Sequence, residues 1–112
     1  MHTLSGAEFE QVDLRAGTII KVADFPEAKK PAYQVWIDFG STIGIKQTSA
    51  QITKLYQKDE LLHTQVICVI NFPPKQIGPF ISEVLITGLV VGDGDVVLTR
   101  PDKPVPNGTK LA

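Results

Sequence analysis

The 112-residue sequence has one cysteine, one tryptophan, two histidines and two arginines, and each shortage excludes a class of function. Cys68 has no second thiol to pair with and sits inside the apolar run Val66–Ile70, so it reads as a buried thiol in a reducing compartment. His2 and His63 belong to no H-x-x-x-H pattern, and neither a C-x-x-C pair nor clustered carboxylates offer metal ligands. Neither G-x-x-x-x-G-K-[ST] nor G-x-G-x-x-G occurs, and Ser5, Ser41, Ser49 and Ser82 lie outside any G-x-S-x-G elbow. Nucleophile, base, metal and nucleotide-cradle patterns all fail, so the expectation is a binding protein with no cofactor and no enzymatic activity. Asp93-Gly94-Asp95 opens like a calcium loop but lacks the later oxygen ligands and is expected to be a hairpin turn; Asn107-Gly108-Thr109 also reads as a turn. No segment approaches the roughly 18–20 apolar residues of a membrane span. The first residues lack a basic stretch followed by an apolar run, and the expectation is a cytoplasmic chain without membrane insertion.

What is present is β-forming. Valine and isoleucine number 22 against nine leucines, and nine threonines add to them; β-branched side chains suit a pleated surface better than a helix. At this length a single domain is expected. The net charge of −1 excludes a globally basic binder, but the charge is uneven. Residues 1–14 carry −3, residues 15–58 carry +4 and residues 59–112 carry −2, so any polyanion site must be a patch built from the middle block.

Along the chain, residues 6–12 are expected to form a short helix, with Phe9 and Val12 on one side, acting as a lid or plug. Residues 13–25 read as a strand closed by Pro26, and PEAKKP (26–31) as a charged connector. In AYQVWIDF (32–39), Tyr33, Val35, Ile37 and Phe39 share one face and Gln34, Trp36 and Asp38 the other, with Trp36 the odd member on the polar face. A turn at 40–42 leads to a third strand over 43–51, in which Ile43 and Ile45 alternate with Gly44 and Lys46. Residues 52–62 have helical spacing, with Ser49 or Thr53 as N-cap. QVICVINF (65–72) reads as a strand buried on both faces, PPKQIGPF (73–80) as a loop, and 81–91 and 95–101 as two strands around the GDGD turn. Five antiparallel strands with a short helix between the third and fourth define an all-β, five-stranded oligonucleotide-binding (OB) barrel. An SH3-like barrel, which lacks that helix as a regular feature, is the competing architecture.

The polar residues left over are donors and short hydroxyls: Lys46, Gln47, Thr48, Ser49 and Gln51, then Asn71, Pro74, Lys75 and Gln76, then Ser82 and Glu83. Lysines and neutral amides suit phosphate and sugar oxygens without fixing sequence. Trp36, Phe72 and Phe80 are candidate stacking faces for unpaired bases, and FPPKQIGPF is equally suited to protein contact.

The strings VDLRAGTIIKVADFPEAKKPAYQVWIDFG, IGIKQTSAQIT, VINFPPKQIGPFISEVLITG and DVVLTRPDKPVPNGTKL resemble the CsaA family of small secretion-associated chaperones, within a wider set of tRNA-binding OB domains. The wider frame, N-[LF]-x-P-[RK] followed by a Ser-Glu pair, corresponds to Asn71, Phe72, Pro74, Lys75, Ser82 and Glu83. Pro31 is typical of CsaA, whereas Val84-Leu85 departs from the small residue and methionine usual in the wider set. The resemblance implies one OB domain over 1–112, with a core at about 9–100 and a C-terminal extension, 101–112, that contributes a dimer contact. It further implies a homodimer, a surface for unfolded preproteins or tRNA without choosing between them, the SecA export ATPase as a partner, and binding positions at Ser82 and Lys75; an export chaperone that also binds tRNA is the first expectation, and structure-specific tRNA binding without a chaperone role is the alternative. The combined candidate site is Lys46, Gln47, Ser49, Gln51, Asn71, Phe72, Pro74, Lys75, Ser82 and Glu83.

Overall fold

The computed structural model describes all residues, 1–112. A short helix α1 (Gly6–Glu10) precedes the long strand β1 (Leu14–Asp24), then β2 (Tyr33–Asp38), β3 (Ile45–Ala50), helix α2 (Lys58–Leu61) and β4 (Gln65–Val69). The strands β5 (Lys75–Ile77), β6 (Phe80–Ser82), β7 (Leu85–Ile86), β8 (Gly88–Val91) and β9 (Asp95–Leu98) complete the chain. The main sheet runs β3-β2-β1-β4-β7, all antiparallel, with α2 between β3 and β4. It curls into a nearly closed barrel, which is the expected OB fold.

Curvature comes from β1. Its register against β2 slips between Ile19 and Lys21, a bulge that leaves Ile20 outside and bends the strand so that its two ends serve different neighbours. Residues 18–24 pair with β2 and residues 14–18 with β4. Gly17 lies where β1 and β2 pack tightly: a Cβ there would meet Ile37 Cγ2 at 2.6 Å and the Phe39 ring at 2.8 Å. The alternation expected of β2 is present, with Tyr33, Val35, Ile37 and Phe39 buried in the main core beside Ile19, Val66, Cys68 and Leu61. Burial pushes the Cys68 thiol up to about 12, so it stays protonated and unreactive at neutral pH.

A second, smaller core forms outside the barrel from Phe25, Ala32 and Phe80, with Trp36 and Ile77 packed on it. Phe80 meets Phe25 at 5.4 Å and the edge of Trp36 at 5.9 Å between ring centroids, spacings suited to tilted and edge-on aromatic pairs. This cluster pins the β1–β2 connection against the β5–β6 hairpin.

Several expectations are corrected. α1 is no plug: it buries none of its residues, and Phe9 stays exposed. The helix expected over 52–62 shrinks to Lys58–Leu61, because the Tyr56 carbonyl accepts a 2.8 Å bond from the Tyr33 hydroxyl and the Tyr56 hydroxyl accepts one from Leu98 N–H. Its start is set by Gln57 and Glu60, whose carboxylate accepts from Gln57 N–H at 2.7 Å, rather than by Ser49 or Thr53. The loop 73–80 contains a hairpin, β5–β6, turning at Gly78 in the left-handed region (φ 57°). The fourth strand ends at Val69, with one face buried and Ile67 only half-buried on the other. The strand expected over 81–91 breaks into three, because Ser82 and Glu83 turn to β3, Leu85 and Ile86 pair with β4, and β8 pairs with β9 alone. That last hairpin leaves Leu89, Val90, Val91 and Val97 exposed. Beyond these corrections, residues 107–111 lie along β1, with Ala16 N–H donating to Thr109 O and Leu111 N–H to Leu14 O, each at 2.9 Å.

Candidate functional site

β3 turns Thr48 and Ala50 into the barrel and exposes Ile45, so Gln47, Ser49 and Gln51 line its outer side. There β3 meets residues 81–84 almost entirely through side chains. Glu83 N–H donates to Gln47 O at 2.8 Å, the one backbone bond of the seam, and Glu83 Oε1 accepts from Gln47 N–H at 3.1 Å. The Gln47 amide donates to Ile81 O at 2.8 Å. Thr48 Oγ1 is buried and donates to Val84 O at 2.7 Å. With that single proton committed, Ser82 Oγ is the donor in its 2.9 Å contact with Thr48, and it accepts in turn from Ser49 N–H at 3.1 Å. A directed chain of hydrogen bonds therefore runs from Ser49 N–H through Ser82 and Thr48 to Val84 O.

Above the seam, two recesses share a wall. The first, about 310 Å³, lies between β3 and β7, with Ile52, Val84, Leu85 and Ile86 as its apolar floor. The second, about 580 Å³, lies between the β1–β2 connection and the β5–β6 hairpin, and its cations are Lys29, Lys30 and Lys75 with Glu27 as the only acid. Ser49, Gln51, Lys75 and Ile77 line both. Lys29, Lys30 and Lys75 form no ion pair, since the three bridges of the protein are Arg15–Asp13, Lys54–Asp95 and Lys58–Asp24. The Asp24 partner raises the Lys58 pKa above its usual value. The second core holds both rims of the basic recess, so its lysines project from anchored backbone.

The structure thus brings together Ser49, Gln51, Lys75 and Ser82 around the groove, with Phe72 and Glu83 in a smaller adjoining recess of about 150 Å³ that Lys75 and Ser82 also line. Pro74 is exposed beside Lys75. Lys46 lines none of these three recesses, since its position on β3 has the inward parity of Thr48. Asn71 is tied down: its Oδ1 accepts from Asp13 N–H at 2.9 Å and its Nδ2 donates to Gln11 O at 2.7 Å, clamping the N-terminal segment. Of the stacking candidates, Phe80 is buried in the second core, and Trp36 is covered by Phe80 on one side with Lys21 Nζ 4.6 Å from its ring. Phe72 alone keeps an exposed face. The residues that the sequence reading passed over are Lys29 and Lys30, placed in a charged connector; a lysine pair held between prolines was the available signal.

Residues 14–110 match the model of a family described as "Putative tRNA binding domain". The fold superposes on the CsaA chaperone protein of Picrophilus torridus with a TM-score of 0.91 and 52% identity, covering 98% of this chain and 100% of that one. The chaperone CsaA of Bacillus anthracis gives a TM-score of 0.93 and 46% identity over 99% of this chain and 100% of that chain. Methionine–tRNA ligase of Pyrococcus furiosus is 38% identical over 112 residues, 99% of this chain. This chain spans only 15% of that ligase's length.

Proposed function

Because the chain belongs to the tRNA-binding domain family, and within it to the CsaA family, we propose that it is a non-catalytic holding protein. It binds unfolded preprotein segments in the groove above the β3 seam and binds tRNA through the lysines of the same surface. The observation that carries this reading is the shared wall: Ser49, Gln51, Lys75 and Ile77 serve an apolar recess and a basic one together. An extended segment laid across it buries aliphatic side chains against Ile52 and Leu85 while amides and lysines meet its polar backbone. The same lysines, unpaired and carried on anchored loops, meet phosphates without reading sequence. A homodimer would cover the apolar β8–β9 hairpin, with the 101–112 extension adding contacts. The cytoplasm and an export ATPase of the SecA type complete the reading as site and partner of action.

Titration with total tRNA at two salt concentrations, with an unfolded preprotein segment as competitor, tests it. Displacement of tRNA by peptide is the expected result. Tight tRNA binding that peptide leaves untouched would instead make the chain a structure-specific tRNA binder without a chaperone role. The affinity for tRNA should fall with salt by about 0.9 log units per log unit of salt for each phosphate neutralised, the duplex DNA value.

A further inference from the structure

A fourth recess, about 480 Å³, shares no lining residue with the groove and lies between the α2–β4 connection and the segment that follows β9. It has no aliphatic wall apart from two prolines, and His63, Arg100 and Lys103 line it with Asp102 as its only acid. None of these four takes part in an ion pair. Its outer wall is anchored. Gln65 donates to Val105 O at 2.6 Å and accepts from Val105 N–H at 3.0 Å, while the Thr18 hydroxyl donates to Asn107 Oδ1 at 2.7 Å. Pro101, Pro104 and Pro106 fix the backbone between. His63 is the one residue other than glycine in the left-handed region, at φ 70°, and its N–H is locked to Ile19 O at 2.8 Å. The imidazole thus sits at a fixed backbone position beside Lys103, which has no partner, and Arg100, which pairs with no carboxylate and whose guanidinium lies 6.0 Å from the Tyr56 ring centroid.

We infer that His63, Arg100 and Lys103 form a second phosphate-binding position, engaged by a backbone phosphate of the same RNA that lies on the Lys75 groove. This inference rests on the RNA half of the proposed function. The guanidinium offers paired donors to a phosphate, and Lys103 and His63 add a point charge and a ring N–H. The chain's largest extent is 40 Å, a span over which a folded RNA presents several phosphates.

The test measures tRNA affinity at several salt concentrations for the full chain, for Arg100→Gln/Lys103→Gln, for His63→Gln and for Lys75→Ala, with thermal unfolding to confirm that each folds. In parallel, inorganic phosphate is titrated while the His63 ring and the Arg100 and Lys103 side chains are followed by NMR. The double variant should lower the salt slope by about two and weaken binding several-fold at low salt, and His63→Gln should weaken it less. If Lys75→Ala lowers the slope and the double variant does not, the RNA reading stands and this position is overturned. If the unmodified chain fails to bind tRNA, the RNA reading falls; the inferred position then falls with it as an RNA contact, and saturable phosphate shifts confined to these three residues would recast it as a site for a small phosphorylated ligand.

Discussion

The two sides of the barrel are closed in different ways. On one side, β1 lies between β2 and β4 and is joined to them by backbone ladders with six and five registered pairs. On the other, β3 reaches residues 81–84 through a single backbone bond and otherwise through Gln47, Thr48, Ser82 and Glu83. A ladder tolerates any inward side chain that is apolar and of the right volume, because its hydrogen bonds use groups that every residue except proline carries. A seam made of side chains needs particular residues. The Ser82-Glu83 pair, which resembles a binding motif, is therefore constrained by barrel closure as well as by any ligand.

The largest effect should come from the ladder side. Ile37 is fully buried in β2 opposite Ile19, and Ile37→Ala should cost about 2–5 kcal/mol in urea unfolding through the cavity it opens. Thr48→Val, nearly equal in volume, should cost about 1–3 kcal/mol, because it leaves Val84 O and the Ser82 hydroxyl without their buried partner. A loss below about 0.5 kcal/mol would mean that water replaces the hydroxyl and that the seam does not hold the barrel. Ser82→Ala should come next, at about 1 kcal/mol, since Ser49 N–H lies nearer solvent. A ligand defect in Ser82→Ala that disappears when the barrel is restabilised elsewhere would assign this serine to the seam; one that persists would assign it to the ligand as well.

This division also marks what could be read in advance. The ladder side was legible: alternation placed Tyr33, Val35, Ile37 and Phe39 inside, and the helix between the third and fourth strands separated the OB topology from its rival. On the seam side, the expected alternation of Ile43 and Ile45 gave no sign that Thr48 and Ala50 are the buried pair of β3, with Ile45 57% exposed. A buried threonine is stable there only because partners 34 and 36 residues away satisfy its hydroxyl, and no local pattern encodes a partner at that distance. The site divides in the same way. Lys75, Gln51 and Ser82 could be named as candidates from residue type and resemblance, whereas Lys29 and Lys30 line the adjoining recess only because Phe25, Phe80 and Trp36 pull two distant loops together.

The smallest effect on stability should separate ligand chemistry from closure. Lys75 is exposed on the β5–β6 hairpin, pairs with no carboxylate and lines all three adjoining recesses. Lys75→Ala should leave the unfolding midpoint unchanged within scatter, because nothing buried depends on its ammonium group. Its tRNA affinity should fall, and the salt slope should drop by about one, the signature of one phosphate contact removed. Peptide binding should fall less and respond only moderately to salt, since the apolar floor at Ile52 and Leu85 is untouched. Equal losses for both ligands with an unchanged slope would mean that Lys75 shapes the hairpin rather than neutralising a phosphate, and would move the RNA contact to Lys29 and Lys30 across the recess.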